Sequence, residues 1–225
     1  MKNVILLGKG KLAIEIAQWF LERPGEYRIQ WVVPDVPEPE WTDSLINFAA
    51  GKRLPLIESG NYADIPELND DYWKADLVIS VFYKKIIKQW FIDKCHKILN
   101  IHLAPLPKYR GVRSINWALK NGELEHGVTI HEITAGIDEG PILSQVKFSI
   151  YPEFEEVQDV YNRALEYAFL CFRHTMVRLD KIAPRPQDHR LATYYSEKDT
   201  KRLGERMTFT KELSRKQWEI EGMKE

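Results

Sequence analysis

The sequence predicts an α/β protein with a mostly parallel, twisted sheet that carries helices on both faces. Apolar runs of strand length alternate with segments of helical periodicity through the first half of the chain, as is typical of such sheets. The runs are apolar throughout rather than at every second position, as expected for strands covered on both faces. Two later β-rich stretches, 127–133 and 142–150, are separated by too few residues for a crossover helix, so this pair is expected to be antiparallel.

The chain begins with a strand at 4–7, which leads through a glycine-containing turn into an amphipathic helix. A second strand is predicted at 27–33. The three prolines within 34–41 predict a loop, because proline donates no backbone hydrogen bond and fixes its own φ angle. A short helix at 43–50 and a small edge strand at 54–57 are expected to follow.

The middle of the chain continues the alternation. Strands are predicted at 75–81 and 97–102, with a helix at 86–95 between them. A further helix is expected to stop at 121–122, where an Asn-Gly pair stands. After the antiparallel pair, one long helix is predicted at 155–179, with apolar residues on one stripe.

The chain changes character after Pro186. Residues 187–225 hold few aliphatic residues and many charges, with Tyr194 and Tyr195 as the main apolar feature. We therefore expect one main domain at 1–186 and a short, partly irregular C-terminal extension at 187–225 that carries a loosely held tail.

Composition excludes several classes of protein. The 32 basic and 33 acidic residues leave a formal charge of −1, which argues against binding nucleic acid mainly through its phosphates. The two cysteines, Cys95 and Cys171, are too few for a disulfide scaffold or a four-cysteine zinc site. No apolar stretch approaches the roughly 18 residues of a membrane span. The expectation is a cytoplasmic protein with no membrane and no nucleic-acid partner.

The first turn resembles a dinucleotide fingerprint. Gly8-x-Gly10-x-x-Ala13 follows a strand and opens a helix, and Asp35 stands near the end of the second strand. A nicotinamide-dependent oxidoreductase is therefore an alternative from another class. The competing interpretation is tight packing, since any first strand-helix turn of such a sheet benefits from small residues.

A stronger constellation lies between 100 and 140. Asn100-x-His102 closes a predicted strand, and alternation places both side chains on one face, at the sheet edge where α/β proteins bind ligands. Asp138 follows in a turn flanked by Gly136 and Gly140. An amide, an imidazole and a carboxylate in one place supply a donor, a base and a group that orients the base. Taken alone, His102 has a purely structural alternative as a partly buried imidazole.

The segments that carry these residues resemble the formyltransferase superfamily, whose members use N10-formyltetrahydrofolate. The resemblance rests on Asn-Ile-His-Leu-Ala-Pro-Leu-Pro-Lys-Tyr-Arg-Gly at 100–111 and on Gly-Val-Thr-Ile-His-Glu-Ile-Thr-Ala-Gly-Ile-Asp-Glu-Gly-Pro-Ile-Leu at 127–143. It extends more weakly over about 1–180. It implies a Rossmann-like core and a catalytic set made of Asn100, His102 and Asp138. In that set Asn100 and His102 flank the oxyanion, and either His102 or Asp138 accepts the proton of the attacking amine.

The resemblance also implies two groups of binding residues. The folate co-substrate is expected against the segment after the 75–81 strand and against the aspartate turn, at Phe82, Tyr83, Lys84, Ile86, Gly136 and Ile137. The acceptor is expected against the first turn, the proline loop and the extension, at Lys9, Lys11, Pro105, Lys108, Tyr109, Arg110 and Tyr194. The remaining histidines show no metal-ligand spacing, and no metal is expected.

Within the family the nucleotide-sugar N-formyltransferases are the preferred resemblance, with a dTDP-linked 4-amino-4,6-dideoxyhexose as acceptor. Such an enzyme would act in surface-polysaccharide synthesis, such as that of O-antigen, and is expected to be a homodimer. Glycinamide ribonucleotide and methionyl-tRNA are the alternative acceptors. The 187–225 segment is too short for the second domain that the tRNA enzymes carry.

Overall fold

A computed structural model describes residues 1–204. Its centre is a six-stranded sheet in the order β2-β1-β3-β4-β6-β7. The strands of this sheet are β1 (Lys2–Gly8), β2 (Tyr27–Pro34), β3 (Leu77–Val81), β4 (Ile98–His102), β6 (Glu125–Glu132) and β7 (Ile142–Ser149). A separate two-stranded pair joins β5 (Arg110–Gly111) to β8 (Tyr194–Tyr195).

The strand pairing confirms the predicted fold class. β1 to β4 are mutually parallel, whereas β6 runs antiparallel to both β4 and β7. The hairpin turn after β6 begins beside the start of β4, because Glu132 pairs with Leu99 and the Ile133 amide donates to the Ile98 carbonyl. The four parallel strands all end at the opposite edge of the sheet. This edge is where an α/β sheet collects its ligand-binding side chains.

Helices and loops cover both faces of the sheet. The helices are α1 (Gly10–Leu21), α2 (Leu45–Gly51), α3 (Gln89–Ile92), α4 (Ser114–Lys120) and α5 (Val157–Val177). Successive residues of β1 belong to opposite faces, with Val4 and Leu6 in the larger core and Ile5 and Leu7 in the smaller one. Short 3₁₀ turns occur at Tyr62–Asp64, Pro66–Asn69, Leu179–Lys181, His189–Leu191 and Glu197–Leu203.

Two predicted elements differ from the structure. The helix expected at 86–95 is reduced to α3, because the Tyr62 hydroxyl donates to the Ile86 carbonyl and accepts from the Lys88 amide, which holds this backbone outside a helix. The edge strand expected at 54–57 is a single bridge between Val32 and Leu56.

The described part of the C-terminal extension, 187–204, packs against the main domain. Its β8 strand pairs in parallel with β5, and the Thr193 carbonyl accepts from the Arg110 amide. The described part of the extension is therefore hydrogen-bonded to the main domain. The rest of the predicted extension, 205–225, lies outside the described residues.

Among residues 1–204, none of the helices combines the length and apolar character needed to cross a membrane.

His126 provides a test of the packing behind the site. Its Nε2–H donates to the Leu103 carbonyl at 2.8 Å, and its fully buried ring packs between Tyr109 and Phe148. Burial lowers the pKa of His126 to about 4, and the hydrogen bond to Leu103 offsets this only in part. The folded protein therefore holds His126 neutral.

We expect the free energy of unfolding to fall as the pH is lowered from about 6.5 to about 4, since the unfolded state binds the proton first in this window. The His126 contribution is about 3 kcal/mol at full effect. His126→Gln should flatten this part of the pH dependence in chemical denaturation, whereas His96→Gln, at an exposed histidine, should not. An unchanged pH slope in His126→Gln would contradict the buried neutral ring.

Candidate active site

The candidate site lies where β4 ends. Asn100 and His102 are two residues apart on this strand, and their side chains project from the same face. The neighbouring strand β6 pairs Asn100 with His131. The hairpin turn after β6 then returns Asp138 to the same place, so three segments bring four polar side chains together.

The Asp138 carboxylate is the centre of this cluster. Its Oδ1 accepts from Asn100 Nδ2 at 3.3 Å and lies 3.4 Å from His131 Nε2. Its Oδ2 accepts from the Gly111 amide at 2.9 Å and lies 3.6 Å from His102 Nδ1. The carboxylate thus connects both histidines, the amide and the backbone of the proline loop.

These contacts keep Asp138 ionised. Burial by itself would raise its pKa, but the nearby His102, the His131 ring and the hydrogen bond from Gly111 outweigh burial and hold the pKa of this carboxyl well below its ordinary value. The side chain is only 11% exposed. A negative charge is therefore maintained next to two imidazole rings in a site partly shielded from water.

The tautomer of His102 follows from its second contact. Its Nε2 lies 2.8 Å from the Tyr109 carbonyl oxygen, which can only accept a hydrogen bond. Nε2 must therefore carry a proton. The other ring nitrogen, Nδ1, faces Asp138 at 3.6 Å, so a proton bound there lies beside the carboxylate.

Left-handed backbone conformations concentrate around the site. The non-glycine residues with positive φ are Phe82, Tyr109, Arg113, Asp138 and, away from the site, Arg53. Each such conformation costs of the order of 1–2 kcal/mol and persists only where surrounding contacts impose it. This clustering is typical of a site whose side chains are held in one arrangement.

A cavity of about 850 Å³ opens beside the cluster. Asn100, His102, His131 and Asp138 all line it. The six residues predicted to hold the co-substrate also line it: Phe82, Tyr83, Lys84, Ile86, Gly136 and Ile137. The volume is in the range of pockets that bury a drug-sized ligand.

Only two of the seven residues predicted to bind the acceptor line this cavity. Lys9 and Tyr194 line the cavity, but Lys11, Pro105, Lys108, Tyr109 and Arg110 do not. Lys11 and Lys108 are exposed side chains that pair with Glu15 and Glu123, respectively. Direct contact with a ligand in this cavity is therefore not supported for these five residues.

Three of the five have structural contacts instead. Pro105 is buried, and Tyr109 is stacked on Tyr195 with its hydroxyl donated to Glu123. Arg110 is 4% exposed and donates to Gln187 and Glu139. Sequence does not reveal that an arginine beside a glycine is turned inward.

The first turn is shaped by packing. A Cβ on Gly8, whose φ is +146°, would lie 2.1 Å from the Val81 carbonyl oxygen. Asp35 is 1% exposed and pairs with Lys9 at 2.5 Å and Lys84 at 3.8 Å. The acidic residue that the dinucleotide interpretation needs for a ribose is thus engaged by lysines, and the structure favours the packing interpretation.

Two groups of site residues were missed at the sequence level. His131 belongs to the polar cluster; the sequence places it on a strand but does not show that this strand pairs with β4. Trp41 and Tyr161 line the cavity and contact each other with ring centroids 5.9 Å apart. Trp41 lies in a proline-rich loop and Tyr161 on a helix stripe, so neither pattern distinguishes them from ordinary surface and core residues.

Within residues 1–204 there is no group of three or more histidine, cysteine or acidic side chains placed to hold a metal ion. Burial raises the pKa of the Cys95 thiol to about 12 and that of Cys171 to about 11, so both remain protonated at neutral pH.

Comparison with known proteins shows which family this chain is similar to. Residues 64–172 match the family described as formyl transferase. Methionyl-tRNA formyltransferase of Alkaliphilus oremlandii is 25% identical over 200 residues, covering 85% of this chain and 64% of the relative. The chain thus spans less than two thirds of the length of this curated relative.

Solved structures of sugar-modifying enzymes share the fold. The N-formyltransferase from Helicobacter canadensis, in complex with folinic acid and dTDP-3-aminofucose, superposes with a TM-score of 0.76 at 26% identity, covering 88% of this chain and 72% of that one. WlaRD, a sugar 3N-formyltransferase studied with dTDP and 5-N-formyl-THF, gives a TM-score of 0.75, also at 26% identity, covering 88% and 71%.

The His102 tautomer is directly testable. In protein labelled with ¹⁵N-histidine, the neutral ring should show a protonated Nε2 and an unprotonated Nδ1, because Nε2 donates to the Tyr109 carbonyl. Two-bond ¹H–¹⁵N correlation spectra distinguish the two tautomers, and His102→Asn identifies the resonance. A neutral ring with its proton on Nδ1 would contradict this geometry.

Proposed function

We propose that this chain, which belongs to the formyltransferase superfamily, is an N-formyltransferase. It transfers a formyl group from N10-formyltetrahydrofolate to the amino group of a nucleotide-linked amino sugar. The product is a formamido sugar. The observation that carries the proposal is the cluster of Asn100, His102 and Asp138 at the wall of the 850 Å³ cavity.

The reaction needs three functions that this cluster supplies. A neutral amine attacks the formyl carbon, a tetrahedral oxyanion forms, and the bond from that carbon to the folate nitrogen breaks while one proton leaves the amine and one reaches the folate nitrogen. An N–H donor lowers the energy of the oxyanion, and a base and an acid move the protons. Asn100 is the amide donor, and His102 with Asp138 forms the proton-transfer pair.

The resting hydrogen bonds define what Asn100 must do. Its amide nitrogen is engaged by Asp138 at 3.3 Å and by His131 at 3.2 Å. Donation to an oxyanion therefore exchanges one of these bonds for a bond to the reacting oxygen. His102 needs no such exchange at Nδ1, because that atom lies 3.6 Å from Asp138. A proton taken from the amine at Nδ1 is stabilised there by the ionised carboxylate.

The folate donor fits the part of the cavity bounded by 82–87 and 134–138. This part combines apolar side chains, such as Ile87 and Ile133, with the peptide groups of two loops, which match a flat ring with an amide-like edge. The similarity to two structures that contain folinic acid or 5-N-formyl-THF supports this choice of donor. The donor is a co-substrate, and no metal is invoked.

The acceptor is assigned to other residues that line the cavity: Lys9, which shares Asp35 with Lys84, and Arg113 and Tyr194 near the β5–β8 pair. Two cationic side chains suit a diphosphate, and a half-exposed tyrosine suits a base or sugar ring. Similarity to a structure holding dTDP-3-aminofucose supports a dTDP-linked amino sugar. We prefer a 4-amino-4,6-dideoxyhexose as the sugar. The proposed enzyme is a homodimer that formylates it in the cytoplasm for surface-polysaccharide synthesis.

Methionyl-tRNA is the second candidate acceptor, because the curated relative of 25% identity formylates that substrate by name. This chain spans 64% of that relative. The near-balance of 32 basic and 33 acidic residues favours the sugar nucleotide, since tRNA binding draws on a basic surface.

The acceptor is tested by mass spectrometry. Purified protein with N10-formyltetrahydrofolate should add one formyl group to a dTDP-linked 4-amino- or 3-amino-dideoxyhexose, and should leave glycinamide ribonucleotide and methionyl-tRNA unmodified. Product from methionyl-tRNA or glycinamide ribonucleotide alone would transfer the assignment to that acceptor. Absence of product from every amine would remove the proposed activity.

The catalytic set is tested by substitution. Asn100→Ala and His102→Asn should each lower kcat by at least about 100-fold, the effect of losing an oxyanion donor or a general base. Both variants should keep the wild-type unfolding midpoint to within a few degrees, since neither side chain belongs to the apolar core. Asn69→Ala and His96→Asn are matched controls at exposed positions. Near-normal turnover in either site variant would refute its assignment.

A further inference from the structure

The C-terminal extension is hydrogen-bonded to both loops that hold the polar cluster. Thr193 Oγ1 accepts from the Tyr109 amide at 2.7 Å, and the Thr193 carbonyl accepts from the Arg110 amide at 2.9 Å. Tyr109 is the residue whose carbonyl receives the His102 Nε2–H. The extension therefore fixes the backbone on which His102 depends.

Gln187 makes the corresponding connection to the aspartate turn. Its Nε2 donates to the carbonyl oxygens of Asp138 and Gly140, each at 2.8 Å. Its Oε1 accepts from Arg110 Nη2 at 2.7 Å and from Arg110 Nε at 3.1 Å. All the hydrogen-bonding capacity of this amide is used, and the side chain spans three segments of the chain.

The orientation of the Gln187 amide is dictated by its partners. A guanidinium group only donates hydrogen bonds, so the atom facing Arg110 must be the oxygen. Peptide carbonyls only accept, so the atom facing Asp138 and Gly140 must be the nitrogen. Gln187 is 6% exposed, so breaking these bonds would leave buried polar groups without partners.

The residue that Gln187 holds has a strained backbone. Asp138 has a φ of +53°, in the left-handed region that costs of the order of 1–2 kcal/mol for a side-chain-bearing residue. The two bonds from Gln187 hold the carbonyl of Asp138 and that of Gly140, two residues later. They therefore constrain the turn that directs the Asp138 carboxylate at His102 and at the Gly111 amide.

We propose that Gln187 is a positioning residue, which holds Asp138 in its left-handed conformation and so aligns the carboxylate with His102. The proposal rests on the formyl transfer proposed above for this cluster. Gln187 does not line the cavity, so it acts through Asp138 rather than by touching a substrate. Arg110 has the supporting role of fixing the amide of Gln187, which accounts for its burial beside the site.

Gln187→Glu is the most informative variant. It keeps the size of the side chain and the acceptor for Arg110, whose charge keeps the new carboxylate ionised. It removes both donors and places negative oxygens against two carbonyls. We expect kcat to fall about 10- to 100-fold, as for other residues that orient a catalytic group, with both KM values within about twofold of wild type.

A local signal separates positioning from general stability. The Gly111 amide donates to Asp138 Oδ2 at 2.9 Å, so its ¹H–¹⁵N resonance should shift in Gln187→Glu and in Gln187→Met, which keeps the volume without polar atoms. Arg190→Ala, three residues along the same segment and 89% exposed, should change neither kcat nor this resonance.

Several results would overturn the positioning role of Gln187. Retained kcat and an unmoved Gly111 resonance in both Gln187 variants would overturn the proposal, as would a loss confined to the KM of the sugar nucleotide. Failure of both variants to fold would overturn it too, because Gln187 would then serve the fold as a whole. If the wild-type protein formylates no amine, the proposed function fails, and the Gly111 resonance still decides whether Gln187 positions Asp138.

Discussion

The Asp138 carboxylate is the interaction on which the site depends. It is a buried, ionised group that accepts hydrogen bonds from Asn100 and Gly111 and faces two imidazoles. A buried charge is tolerated only when its partners compensate for lost hydration, so each partner must be delivered accurately. The parallel sheet delivers Asn100 and His102, the antiparallel hairpin delivers His131 and Asp138 itself, and the proline loop delivers Gly111.

The need to place the partners of Asp138 accurately explains the role of the short β5–β8 pair. The Gly111 amide donates to Asp138, and the loop around Gly111 is held from the other side by 193–195. A stack of Tyr109, Tyr195 and Trp117, with adjacent ring centroids 5.8 and 4.2 Å apart, adds apolar contact to the same junction. The extension thus stabilises a polar site with two strand-like residues, one glutamine and one aromatic layer.

Much of the site could be predicted because its signals are local. A polar pair two residues apart at the end of an apolar strand implies one shared face, and a glycine-flanked aspartate implies an exposed turn. The binding residues on the loop after β3 came instead from the resemblance to formyltransferases, and they line the cavity. Tyr109, Arg110 and Lys108 were predicted to bind the acceptor but do not line the cavity. Whether a loop side chain turns inward depends on what packs against it from elsewhere in the chain.

The sequence by itself determined most of the strands and helices and the residues at the carboxyl ends of the strands, and its resemblance to formyltransferases indicated the proposed chemistry. These properties depend on periodicity and on motifs within short segments. Only the tertiary structure decided that His131 joins the cluster and that Lys9 pairs with the buried Asp35. It also decided that Gln187 donates to the Asp138 carbonyl and accepts from Arg110. Gln187 lies 49 positions from Asp138 and 77 from Arg110. Contacts at such separations arise from folding and have no signature in local spacing.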